Sequence, residues 1–198
     1  MTRNPPSART SIFRIRWLLV VVLIVVVAAL TAAFTYETRT SSSGSSGSSL
    51  ADGVVPDGVT VFDDETPAVT NLDADLLGAL RRAATDAAGN GIEFYVNSGW
   101  RSPQYQDRLL SKAISKYGSR AEAARWVATA TTSPHVSGDA VDLGRSEATA
   151  WLSARGAAYG LCQIYRNEAW HYELRPEAID HGCPRMYADP TQDPRMQK

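Results

Sequence analysis

The chain has 198 residues, with 20 Lys and Arg against 21 Asp and Glu and a formal net charge of −1. That balance excludes an electrostatic case for nucleic acid, whose phosphates call for a basic face. The length leaves room for one ordinary domain and an N-terminal extension.

Arg3, Arg9, Arg14 and Arg16 precede an uncharged run over 17–34 that is built almost wholly of Val, Leu, Ile and Ala. A helix needs about 20 apolar residues to cross a bilayer, and the shortest spans use about 17. With Tyr36 reaching the interface, the run predicts a transmembrane helix over 17–36 behind a basic tail, 1–16. The arginine excess, set against Glu37 and Arg39 beyond the run, predicts a cytoplasmic N-terminus and an exported remainder, single-pass in the cell membrane. A cleaved signal peptide is the alternative, with Thr31, Ala32 and Ala33 as a loose cleavage region and a secreted product. Residues 41–50 (SSSGSSGSSL) have nothing to bury and read as the centre of a flexible linker, 37–52. The exported domain is expected over 53–198.

In that domain Leu72, Leu76, Leu80, Ala83 and Ala87 recur at helical spacing and predict a helix over 71–88, ended by Gly89 and Gly91. Ile92, Phe94 and Val96 alternate with Glu93, Tyr95 and Asn97, as in a half-buried strand. Gly99 breaks that strand. Ser102-Pro103 then opens a second helix with a cap and a first-turn proline, buried through Leu109, Leu110, Ala113 and Ile114. Ser119 and Glu122 have the spacing of a capping box and predict a third helix reaching about residue 129. A short strand over 139–143 puts Ala140 and Asp142 on one face and Val141 and Leu143 on the other. A helix over 147–155 closed by Gly156 follows, then strands over 161–165 and 170–174 joined by a turn at Arg166-Asn167. The tail after Cys183, with Pro184, Pro190 and Pro194, is expected to be extended. Helices come first and most strands later, so the class is α+β rather than parallel α/β. Cys162 and Cys183, an even pair in an exported domain, are expected to form a disulfide that pins the tail.

Three histidines carry the chemical question. His135 sits on a loop, Gly138 lets the chain turn, and Asp142 follows on a strand seven residues later. Ala140 is small and shares the face of Asp142, which leaves room for an ion or a substrate. His171 supplies a second imidazole, with Glu168 three residues before it. Two His and one Asp make a three-donor zinc site with a fourth position open for water, as in catalytic rather than structural zinc. A carboxylate outside that set, here Glu168, suits proton transfer. A lone His on a loop is more often a hydrogen-bonded surface residue, and a lone Arg101 at a helix start is more often solvated. Spacing by itself therefore leaves the metal-free reading open. His181, framed only by Asp180, is read as structural.

The segments Ser98-Gly99-Trp100-Arg101-Ser102, Ser133-x-His135-x-x-Gly138-x-Ala140-x-Asp142 and Glu168-x-Trp170-His171 occur in that order. Together, over roughly 70–175, they resemble the VanY-like D-alanyl-D-alanine carboxypeptidase branch of the M15 metallopeptidases. The resemblance implies a small antiparallel sheet with helices packed against it and a zinc site on the sheet face, the Hedgehog/D,D-peptidase-like arrangement. It implies one Zn2+ per chain on His135, Asp142 and His171, Glu168 as general base, and Arg101 as oxyanion and carboxylate holder. It further implies peptide contacts at Gln106 and Ser133. Trp170 is read as pocket wall or core. Departures at Trp100, Pro103 and Ala169 leave every ligand and the base in place. The implied substrate is a peptidoglycan stem peptide ending in D-Ala-D-Ala, cut as a D,D-carboxypeptidase. An endopeptidase, a D-Ala-D-Ala dipeptidase and a non-catalytic wall-binding module are the alternatives.

Overall fold

A computed structural model describes residues 50–197, so the expected membrane helix over 17–36 and most of the linker lie outside the described residues. Among the described residues no helix is long and apolar enough to cross a membrane. The linker expected over 37–52 gives up its last residues to the fold. Asp52 accepts a hydrogen bond from the Ser102 hydroxyl at 2.9 Å, pairs with Arg108, and its carbonyl accepts from the Ser102 N–H at 2.8 Å.

α1 (Pro67–Thr70) is one turn, and α2 (Ala74–Ala88) carries the apolar stripe. α2 starts three residues later than the periodicity predicts because Asp73 caps it, accepting from the N–H groups of Asp75 at 3.0 Å and Leu76 at 3.1 Å. β1 (Tyr95–Ser98) keeps the predicted alternation, with Phe94 and Val96 buried and Glu93 and Asn97 exposed. α3 (Pro103–Tyr117) begins where Ser102 accepts from the Tyr105 N–H at 3.0 Å. α4 (Arg120–Ala123) has the expected Ser119 cap, 3.1 Å from the Glu122 N–H, but stops after one turn instead of reaching residue 129. The residues that follow, Val127, Thr129, Thr131 and Thr132, favour helix weakly, and tertiary contacts take them elsewhere. Trp126 stacks on Tyr117 with ring centroids 5.9 Å apart, and the Ala128 carbonyl accepts from Gln106 Nε2 at 2.8 Å.

α5 (Pro134–Ser137), β2 (Ala140–Gly144), α6 (Ser146–Arg155), β3 (Leu161–Gln163), β4 (His171–Leu174) and α7 (Ala178–His181) complete the order. The four strands form one antiparallel sheet in the order β1-β2-β4-β3, so the expected α+β class holds. One sheet face, through Val96, Val141, Leu143 and Tyr172, packs on Leu76 and Leu80 of α2 and on Trp151 and Leu152 of α6. The opposite face is polar. Asp142 in β2 pairs with Ser98 in β1 on one side and His171 in β4 on the other. A bulge between Val96 and Ser98 produces that row. Val96 opposes Leu143 on the core face, and the extra residue turns Ser98 to the polar face beside Asp142.

The disulfide Cys162–Cys183 is present, with Cα atoms 5.5 Å apart. The tail beyond it is not extended as expected. Tyr187 pairs with Tyr165, and two 3-10 turns follow, Pro190–Gln192 and Pro194–Gln197. Asp189 caps the first turn, and Asp193, fully buried, accepts from the Tyr165 hydroxyl at 2.9 Å. Buried polar anchors of this kind, rather than proline stiffness, decide the path of the tail.

Candidate metal centre

Pro134 opens α5, and Gly138 ends it in a left-handed conformation with φ of 85°. A Cβ at Gly138 would also stand 2.6 Å from the Asn71 carbonyl, so the turn admits only glycine without displacement. This turn delivers His135 into the interior, 5 % exposed. His135 Nδ1 lies 2.8 Å from the Gly99 carbonyl. A carbonyl only accepts, so Nδ1 carries the proton and Nε2 presents a lone pair, 3.3 Å from Asp142 Oδ1. The Gly99 backbone can come this close because it carries no Cβ, which would meet the Ala68 carbonyl at 2.0 Å.

His171 is oriented the other way round. Its Nε2 is 3.2 Å from Glu173 Oε1 and its Nδ1 is 3.1 Å from Asp142 Oδ1. Burial works against charge on Glu173, but the hydrogen bonds from His171 and Arg195 hold its carboxyl far below the usual range. Asp142 Oδ2 accepts from Arg101 Nη2 at 2.8 Å, which turns Oδ1 toward both imidazoles. One donor atom from each of His135, Asp142 and His171 therefore lies within 4.8 Å of the others.

The electrostatics match a cation site. Burial opposes charge on Asp142, yet His135, His171 and Arg101 keep it well below the ordinary carboxylate range. Burial, followed by the charge of Arg101, lowers His135 and so favours its neutral form. Burial also lowers His171, but its bonds to Asp142 and Glu173 outweigh that and push it up to about 9. Without a metal, a proton on His171 Nδ1 supplies the positive charge between the donors, and a dication would displace it.

Glu168 stands beside this set and outside it. The turn between β3 and β4, held by the Glu168 carbonyl accepting from the His171 N–H at 3.1 Å, sets its carboxylate 3.8 Å from His171 Nδ1. That carboxylate accepts no hydrogen bond among the described residues, and burial pushes it up to about 7. Arg101 is held by three contacts: Nε donates to Ser98 Oγ at 2.7 Å, Nη1 to Gln106 Oε1 at 3.1 Å and Nη2 to Asp142. One N–H on each terminal nitrogen is left for a ligand.

Arg101, His135, Asp142, Glu168 and His171 line one cleft of about 510 Å³. Gln106 lines it too, and its amide accepts from Arg101 Nη1 and donates to the Ala128 carbonyl, so it orients Arg101 as well as facing the cleft. Ser133 lines the cleft with a hydroxyl that caps nothing in α5. Trp170 is on the rim, 40 % exposed, and so is wall rather than core. His181 is exposed and outside the donor group. Sequence reasoning did not find Glu173, Tyr165 or the Gly99 carbonyl. Glu173 left a trace, being a carboxylate two residues from His171 on the same strand and thus on the same face. The other two left none.

The family model for VanY, D-alanyl-D-alanine carboxypeptidase, matches residues 69–177, just over half of the chain. The chain belongs to this family. A D-alanyl-D-alanine carboxypeptidase of Enterococcus faecalis (strain ATCC 700802 / V583) is 28% identical over an alignment 111 residues long that covers 43% of this chain and 41% of the relative. The chain thus matches less than half the length of that curated relative. VanYB in complex with D-alanine-D-alanine superposes with a TM-score of 0.51 at 24% identity, over 56% of this chain and 74% of that one. The LD-carboxypeptidase LdcB superposes with a TM-score of 0.51 at 22% identity, over 64% of this chain and 70% of that one. The VanY match includes His135, Asp142, Glu168 and His171 and ends before Cys183 and the tail.

Proposed function

We propose that this chain is a zinc D,D-carboxypeptidase that removes the terminal D-Ala from peptidoglycan stem peptides ending in D-Ala-D-Ala. The observation that carries the reading is the convergence on one cleft of three metal donors and a carboxylate, Glu168, that accepts no hydrogen bond among the described residues, within the VanY match. Two imidazole nitrogens and one carboxylate oxygen suit zinc, and each His has its remaining nitrogen anchored, as metal-binding histidines do. When bound, zinc supplies a Lewis acid and lowers the pKa of the attacking water toward about 7.

The protein groups do the rest. Glu168 takes the proton of the attacking water and passes it to the departing amine of D-Ala. Its lack of hydrogen bonds and its raised pKa leave it basic enough to accept that proton near neutrality. The two free N–H groups of Arg101 hold the peptide's carbonyl or terminal carboxylate, and Ser98 and Gln106 keep the guanidinium aimed. Ser133 and Trp170 bound the substrate at the cleft wall.

The test is D-Ala release from an L-Lys-D-Ala-D-Ala peptide by the full chain. Release of single D-Ala, abolished by a chelator and restored by zinc, is the expected result. Release of the D-Ala-D-Ala dipeptide, or cleavage of intact peptidoglycan cross-links alone, would replace this reading with a dipeptidase or an endopeptidase.

A membrane tether through residues 17–36 would keep the cleft near a wall substrate, with the domain outside the cytoplasm. Protease added to intact cells should then digest the domain, while the N-terminal segment stays in the membrane fraction. Protection of the domain would refute export, and recovery of the domain as a soluble secreted form would favour signal cleavage.

A further inference from the structure

We propose that Arg195 is a positioning residue for the metal site, acting through Glu173 to hold the imidazole of His171. This rests on the reading of His135, Asp142 and His171 as zinc donors. Two arginines reach the fully buried Glu173, and they reach it differently. Arg175 Nη2 touches only Oε2, at 2.6 Å. Arg195 spans both oxygens, with Nη1 2.7 Å from Oε2 and Nη2 3.1 Å from Oε1. Oε1 is the atom that meets His171 Nε2, at 3.2 Å. Of the two, only Arg195 grips the oxygen that anchors the ligand.

Arg195 is itself held. Its Nε donates to both oxygens of Asp193, at 3.1 and 3.0 Å, and Asp193 accepts from Tyr165, whose ring lies 5.1 Å from that of His171. The disulfide and the Tyr187–Tyr165 pairing return the tail to this place, and Met196 reaches the cleft wall. The VanY match ends at residue 177, so Arg195 and the rest of the tail lie outside the matched segment. A planar guanidinium across both oxygens fixes the rotation of the Glu173 carboxylate and so the direction of the His171 Nδ1 lone pair. Without it, the carboxylate keeps one partner on the far oxygen and is free to turn.

The metal-free full chain would be titrated with Zn2+ against a chromophoric chelator, and the Co2+-loaded form would be read by its visible absorption. Arg195→Ala should weaken zinc binding about 10-fold or more and alter the Co2+ spectrum. Arg195→Lys should recover part of the loss, and Arg175→Ala should leave both readouts unchanged. Arg195→Ala combined with Glu173→Gln should be no worse than Glu173→Gln alone, because both act through one bond. Wild-type affinity in Arg195→Ala, equal losses from Arg175→Ala, or additive losses in the double variant would overturn the proposal. If circular dichroism finds Arg195→Ala unfolded, Arg195→Lys and Arg195→Gln carry the same comparison. No zinc uptake by the unmutated chain would overturn the donor assignment itself, and this proposal with it.

Discussion

Glu168→Gln should lower kcat for D-Ala release by about 10²–10⁴-fold and leave zinc bound. The carboxylate sits 3.8 Å from His171 Nδ1 but is not one of the three donors, so removing its charge takes away proton transfer without dismantling the site. The same variant separates function from stability. Burial raises Glu168 from about 4.5 to about 7, so in metal-free protein the folded state holds a proton that the unfolded chain releases. Folding of the wild type therefore weakens as pH rises from the usual carboxylate range through about 7, and above that range the full loss remains. Glu168→Gln lacks this loss and should be the more stable of the two at pH 8, by urea unfolding of the metal-free chains. Loss of turnover with retained zinc and unimpaired stability identifies the base. Turnover that persists, or zinc that leaves with the charge, would refute the assignment.

His135→Ala should abolish zinc uptake and the stabilisation that comes with it. At free zinc about 100 times Kd, binding adds about 2.7 kcal/mol to the folded state. For a chain of this size that raises Tm by roughly 5–10 °C. Removing His135 takes away one of three donors whose atoms lie within 4.8 Å, and the remaining pair, Asp142 and His171, is a far weaker site. Thermal scans with and without zinc should show the rise in wild type and no rise in His135→Ala. An equal rise in both would mean that the cation sits elsewhere. The pair of experiments is complementary: the first variant keeps the metal and loses the chemistry, and the second loses both.

Much of the scaffold was legible in residue order. The stripe from Leu72 to Ala87, the Ser102-Pro103 start and the alternation around Phe94 each reappear as an element, because short-range periodicity and capping depend on neighbours a few residues apart. The misreadings fall where distant contacts compete with weak local preference. α4 ends at Ala123 rather than near residue 129 because Tyr117 and Gln106 draw the following residues away from helix. The tail turns instead of extending because Asp193 and Arg195 find buried partners at Tyr165 and Glu173.

The same division runs through the site. The sequence by itself determined the donor types, the small Ala140 beside Asp142, the carboxylate three residues before His171 and the even pair of cysteines, since each is a matter of residue chemistry and short spacing. The tertiary structure alone decided how those groups face one another. A bulge in β1 puts Ser98 in the row with Asp142 and His171, and Arg101 reaches Asp142 across 41 residues of sequence. Which nitrogen each histidine offers is set by the Gly99 carbonyl and by Glu173, and Glu173 is gripped from 22 residues away by Arg195. Strand register and the return of a tail are sums of many weak contacts between distant segments, and no local pattern of residues records that sum.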